Sequence, residues 1–159
     1  MKPSASKSKL THNWLERRII KSNSIMYMEI PIMGVVTHYL ANNIHEIKIQ
    51  QSSSEAIDQL FEISDRIFTN RETENIYLLI DAREAKNLSL HLLAIELRTL
   101  SQRDGKVKPC IAIVAESVTG IQETSRMLKT ILERDRVEFF TDIEKSRLWI
   151  ELEMNRRTR

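Results

Sequence analysis

The chain has three Gly, three Pro and one Cys in 159 residues. So few chain-reversing residues exclude an irregular, loop-rich fold. Neither G-x-G-x-x-G nor G-x-x-x-x-G-K occurs, so there is no phosphate-cradling loop. A single cysteine, Cys110, excludes an internal disulfide framework and a multi-cysteine zinc site. Its setting, "KPCIAIVA", is an apolar strand, so an inert buried thiol is expected. No apolar run approaches the roughly 18–20 residues that cross a bilayer. The basic start, "MKPSASKSKLTHNWLERRIIK", lacks the apolar core of a secretory signal, and a cytoplasmic location is expected. Nucleophile-elbow and Cys–His arrangements are missing too. His12, His38, His45 and His91 are scattered, with no i,i+4 pair and no carboxylate spacing that suggests a metal site. No catalytic, cofactor-binding or metal-ligating set is expected.

What is present is an ordinary share of apolar and charged residues, and a length that suits one domain with a single core. The formal net charge of +2 hides an asymmetry. Residues 1–21 hold six cations against Glu16, a net +5, and residues 155–159 hold Arg156, Arg157 and Arg159, a net +3, which leaves −6 on the body. An acidic body between basic ends is not the pattern of a specific nucleic-acid binder, which carries positive charge on a folded face. Solvated ends that aid solubility are the preferred reading; weak contact with RNA or anionic lipid is the alternative.

Residues 1–23 form a basic, flexible extension in this reading, with a short helix conceivable over "NWLERRII" (13–20). Three runs then have strand character: "SIMYMEI" (24–30), stopped by Pro31, "IMGVVTHYL" (32–40) and "IHEIKIQ" (44–50), the last two joined by the Asn-rich turn "ANN". From residue 52 helices and strands alternate. Ser52-x-x-Glu55 is a capping box for a helix with Ile57, Leu60, Phe61, Ile67 and Phe68 on one face. "NIYLLID" (75–81) reads as a strand buried on both sides, followed by a helix over 89–103 that ends at Gly105. "PCIAIVA" (109–115) is a second buried strand, and Thr119-x-x-Gln122 starts a helix carrying Ile121, Leu128, Ile131 and Leu132. "RVEFF" (136–140) is a third strand, and Thr141-x-x-Glu144 caps a last helix with Ile143, Trp149, Ile150 and Leu152. Buried strands alternating with helices imply right-handed crossovers and a parallel sheet covered by helices. The expected fold is therefore α/β, a mixed four- to five-stranded sheet with an N-terminal antiparallel hairpin, mainly parallel strands after it, and about four covering helices. Residues 24–152 make up the domain, with 153–159 as a basic tail.

"YLLIDAREAKNLSLHLLAIEL", "GKVKPCIAIVA" and "RVEFFTDIEKSRLWIE" together resemble the STAS domain, and more closely the stand-alone bacterial SpoIIAA-like proteins, which include anti-sigma factor antagonists. The last stretch is similar to the family's strand followed by Phe-x-Asp-x-Glu-x-Ala-x-x-Trp, with Ser146 in place of Ala. The resemblance implies a regulatory or protein-interaction module. In partner-switching members a serine within Asp-Ser-Ser-Gly, at the start of the second helix, is phosphorylated. Counted without gaps from Asp81, those four positions hold Ser89, Leu90, His91 and Leu92, so the phosphoacceptor position is His91 and the usual switch is missing. Ser89 is then a helix N-cap, contributing about 1 kcal/mol.

The candidate interaction surface is Asp81, Arg83, Ser89, His91, Leu92 and Ile95. Asp81 ends a buried parallel strand, where open α/β sheets bind ligands; beside Arg83 and Glu84 its plainer role is ion pairing. In "LSLHLLAIELRTL" the residues Leu90, Leu93, Ala94, Leu97 and Leu100 share a face, whereas Leu92 and Ile95 lie away from it. A helix apolar beyond one stripe needs a second covering surface: a neighbouring helix, a second copy in a homodimer, a protein partner, or a small hydrophobic, lipid-like ligand. A protein-interaction module is the leading expectation. A carrier of a small apolar molecule is the alternative, and no nucleic acid is expected as a specific partner.

Overall fold

The computed structural model describes residues 19–22, 25–28, 36–41, 43–70, 73–103, 105–117 and 136–158. Seven strands form one sheet in sequential order: β1 (Ile19–Ser22), β2 (Ile25–Met28), β3 (Val36–Ala41), β4 (Ile44–Ile49), β5 (Asn75–Asp81), β6 (Lys108–Val114) and β7 (Arg136–Phe140). Strands β1 to β4 pair antiparallel as a meander, and β4 to β7 pair parallel. Three helices are described: α1 (Ser54–Thr69), α2 (Leu90–Gln102) and α3 (Ile143–Arg157). The helix expected from Thr119 lies outside the described residues.

The sheet is larger than the four or five strands expected, and it begins at Ile19 rather than at residue 24. The β-branched pair Ile19–Ile20 joins a strand, where the helical reading of 13–20 had placed it in a helix; its preference for extended backbone explains the difference. At the other end, α3 runs on to Arg157, so most of the expected tail is helix.

Strands β5 and β6 are central, and their unbroken apolar runs follow from burial on both faces. Residue parity divides them. Ile47, Ile49, Ile76, Leu78, Ile80, Ile111, Ile113 and Val137 face α1 and α2. Ile44, Tyr77, Leu79, Cys110, Ala112 and Val114 pack with Ile150, Trp149 and Met154 of α3. Strands added one after another in the same direction carry right-handed crossovers on one face. That puts α1 and α2 together and leaves the opposite face to the helix that follows the last strand.

Each helix starts at a capping side chain. Ser53 Oγ accepts from the Ala56 N–H at 3.2 Å, and Asp142 Oδ1 accepts from the Glu144 and Lys145 N–H groups at 2.9 and 3.2 Å. These caps sit one residue beyond the expected Ser52 and Thr141, and a carboxylate at the start of α3 also complements the helix dipole. Ser89 caps α2 as expected, its Oγ accepting from the Leu92 N–H at 3.4 Å. After α2, Gly105 takes φ +67°, a left-handed conformation that glycine adopts without steric cost, and donates its N–H to Gln102 O at 3.1 Å.

The buried stripe of α3 is Ser146, Ile150 and Glu153, so Leu152, read together with Ile143, Trp149 and Ile150, turns outward and is 49% exposed. Ile143, Trp149 and Ile150 do pack on the sheet; the inward Ser146 and Glu153 give apolar periodicity no signal because they are polar. Ser146 resolves its burial by donating to Ile143 O at 2.6 Å. Cys110 is fully buried, and burial pushes its thiol up to about 12, which makes it the inert residue expected.

Leu97 and Leu92 share a helix but not an environment, being 0% and 60% exposed. Leu97→Ala is expected to cost about 2–5 kcal/mol of unfolding free energy and Leu92→Ala less than about 1 kcal/mol, read from paired chemical-denaturation curves.

Candidate functional site at the carboxyl edge of the sheet

Asp81 closes β5 and is only 3% exposed. Two residues on, Arg83 folds back onto it. Arg83 Nε and Nη2 donate to Oδ1 and Oδ2 at 2.8 Å each, and the Arg83 backbone N–H adds a third bond to Oδ1 at 3.2 Å. The strand register sets Lys48 of β4 beside Asp81, and Lys48 Nζ pairs with Glu84 at 2.5 Å. Two positions earlier on β4, Glu46 is 7% exposed and receives Arg147 from α3, with Nε at 3.2 Å and Nη2 at 2.9 and 3.0 Å from its oxygens. Arg147 also donates to Glu144 at 2.7 Å. The edge is thus a chain of alternating charges that ties β4, β5 and α3 together.

Burial opposes ionisation of Asp81, but the Arg83 side chain, its backbone N–H and its charge, with Lys48 nearby, outweigh it and hold the carboxyl below its usual range. Hydrogen bonding to Asp81 raises Arg83 in turn. A carboxylate fixed in this way is a structural anchor; proton transfer near neutrality needs a group whose pKa lies close to the working pH.

The six residues singled out from the sequence fall into two groups. Asp81 and Arg83 join the charge network on the α3 face. Ser89, His91, Leu92 and Ile95 sit on the first turns of α2, which packs on the other face. Asp81 gives both oxygens to Arg83, while His91 Nδ1 is enclosed and has no hydrogen-bond partner among the described residues. Asp81, Arg83 and His91 therefore do not converge as one hydrogen-bonded group. On α2 the inward residues Leu93, Ala94 and Leu97 are at most 2% exposed, against 60% for Leu92 and 37% for Ile95.

Sequence inspection missed Glu46, Lys48 and Arg147. In "IHEIKIQ" the isoleucines mark one buried face, and a charged residue between them reads as solvent-facing unless the second face is also covered. It also missed a histidine pair. His38 and His45, separate in sequence, meet across the β3–β4 register: their rings stack with centroids 5.3 Å apart, and His38 Nε2 lies 3.1 Å from His45 Nδ1. Because His38 Nδ1 is enclosed without a partner among the described residues, the bond runs from His38 Nε2–H to His45 Nδ1; the reverse tautomer strands a buried N–H donor. Burial, then the neighbouring His45, pushes His38 down to about 4, and burial lowers His45 as well. Among the described residues no group of three or more His, Cys, Asp or Glu side chains is arranged to hold a metal ion. Nor is any described helix long and apolar enough to cross a membrane.

No protein-family model matches the chain, and no curated protein matches it. Among solved structures it is similar to an uncharacterized protein from the DUF3478 family with a SpoIIAA-like fold from Shewanella loihica PV-4, with 18% identity and a TM-score of 0.49 over 77% of this chain and 98% of that one. That likeness assigns no residue a role.

Arg83→Ala strands the buried Asp81 carboxylate. It is expected to raise the Asp81 pKa, followed by NMR titration, and to cost about 1–3 kcal/mol of stability at neutral pH. The histidine pair sets a separate pH response. Above 6.5 His38 is neutral in both folded and unfolded chains; as pH falls from 6.5 to about 4 the unfolded chain takes up a proton that the folded one refuses. Thermal stability is therefore expected to fall across that window and the slope to flatten in His38→Gln, as measured by melting curves over a pH series.

Proposed function

We propose that this chain is a non-catalytic regulatory module that binds a protein partner through the first half of α2. The observation that carries the reading is the division of α2. Its inner face is closed on the sheet, yet Leu92 and Ile95 remain in solvent beside it. The first turn of α2 has no acidic residue, and its last turn has no basic one. A partner covering residues 90–95 therefore removes no charged group of that stretch from water, a low desolvation cost. The charged groups at the sheet edge are engaged with one another, which suits a rigid platform better than a reactive centre.

Ser89 supports a partner contact that does not depend on a phosphoserine. Its hydroxyl serves the Leu92 N–H as the helix cap, and the position that corresponds to the family's phosphoacceptor is His91. The carrier alternative wants an apolar chamber beneath α2, and that space holds Leu78, Ile80, Ile111 and Ile113, each fully buried. No observation favours it.

Leu92→Asp and Ile95→Asp place a charge on this surface without touching the core. Both variants are expected to keep the wild-type melting temperature within a few degrees and to lose a protein captured by the wild-type chain from native extract. An unchanged set of captured proteins in both variants overturns the reading.

A further inference from the structure

Glu153 is 1% exposed, the least exposed of the three buried carboxylates on the α3 face. It lies at the amino edge of the sheet, the opposite end from Asp81, and its pairing differs from that of the other two. Asp81 and Glu46 are each held by a single arginine that reaches both carboxylate oxygens. Glu153 takes two arginines, one per oxygen: Arg136 Nη1, from the start of β7, donates to Oε2, and Arg156 Nη1 donates to Oε1 at 2.7 Å.

One guanidinium balances one carboxylate, so the second is a surplus cation. Among the described residues each of the two presents a single nitrogen to Glu153 and has no other acceptor, and their side chains are 52% and 67% exposed. Arg157 adds charge beside them. Its Nη1 donates to Lys108 O at 2.5 Å and its Nη2 to Pro109 O at 3.3 Å, with the guanidinium 5.9 Å above the Tyr77 ring. Those partners are neutral, and among the described residues no carboxylate pairs with it. Glu133 and Asp135, which precede Arg136 in sequence, lie outside the described residues.

Arginines normally lose side-chain freedom when they close on a ligand. Here that ordering is already done by a carboxylate too buried to be a ligand itself. We infer that Arg136 and Arg156, anchored side by side on Glu153, form a binding site for a tetrahedral oxyanion of the phosphate class. The planar donor fork of arginine fits phosphate oxygens, and a dianion matches the surplus positive charge. The phosphate has two sources, a free phosphate or monoester and a lipid headgroup, and they are separable by experiment.

The full chain is titrated with inorganic phosphate at constant ionic strength, against chloride, by NMR shift mapping. In parallel it is sedimented with phosphatidylcholine vesicles with and without phosphatidic acid. Saturable phosphate binding that Arg156→Gln weakens about tenfold, the loss of a charge-assisted hydrogen bond, supports the site with a free phosphate as ligand. Sedimentation with phosphatidic acid alone, lost in the same variant, supports it with a lipid headgroup. Arg156→Lys keeps the charge opposite Glu153 and serves if Arg156→Gln melts early; its binding is expected to fall less. Leu92→Asp is expected to leave both assays unchanged, which separates this site from the α2 surface. The site is overturned by no response beyond chloride and no retention on vesicles, or by binding that folded Arg156→Gln and Arg156→Lys retain in full.

Discussion

The parallel pairing of β4 to β7, in the order in which they are made, constrains everything else in this molecule. Parallel neighbours cannot be joined by a tight turn, so each connection has to leave the sheet, cross it and return. With the strands laid down in one direction, α1 and α2 share a face and bury a continuous layer of Ile, Leu and Val beneath them. The other face receives α3, whose inward stripe is only Ser146, Ile150 and Glu153. Among the described residues this one helix spans a face four strands wide. Its flanks are charged, and they reach to the neighbouring strands: Arg147 to Glu46 on β4, Glu153 to Arg136 on β7, Arg157 to the carbonyls at the start of β6.

That arrangement explains why three carboxylates are buried on the α3 face and none on the α1–α2 face among the described residues. An ionised carboxylate leaves water only when paired and hydrogen-bonded, and a narrow helical cover offers long arginines a route over the strands to do so. The two ends of the face are not equivalent. At the carboxyl edge Asp81 with Arg83, and Lys48 with Glu84, balance one to one, and Glu46 shares Arg147 with Glu144. At the amino edge Glu153 takes Arg136 and Arg156 together, while Lys108 pairs with Glu74. The basic C-terminal residues, which in sequence look like a solvated appendage, are brought by α3 onto the sheet.

How far the chain could be read in advance follows from the same physics. "NIYLLID" and "KPCIAIVA" announced themselves as central strands because both faces are apolar, and Ser89 and Gly105 marked the limits of α2 because capping and helix termination are local chemistry. The cap serines and acids were located to within one residue. On α3 the apolar Ile143, Trp149 and Ile150 pack as read and only Leu152 does not, while the inward Ser146 and Glu153 gave no signal because they are polar. Glu46–Arg147, Glu153–Arg136 and His38–His45 were beyond reach for another reason. Each joins residues from different elements, and only the register of the sheet decides which of them meet. Of the residues marked for function, Asp81 and Arg83 were legible as an ion pair from their spacing. The division of the six between two faces was not, because it depends on which way each strand end turns.

The outward leucines show why exposure alone does not mark an interaction surface. Leu148 and Leu152 on α3 are 58% and 49% exposed, comparable with Leu92 and Ile95 on α2. On α3 they stand among Glu144, Lys145, Glu151 and Arg156, so a partner seated there has to strip water from four charges before it gains two leucines. On α2 the residues from Leu90 to Ile95 contain no charge at all, and Glu96 is the first. Burying an apolar side chain returns about 25 cal/mol per Å², a gain that one badly paired charge cancels. By the same helical spacing Leu92 and Ile95 have Glu96 and Arg98 for neighbours, two charges against four. It is that balance, not the area, on which the proposed partner contact at α2 rests, while α3 is the strut that fixes the charged edges of the sheet.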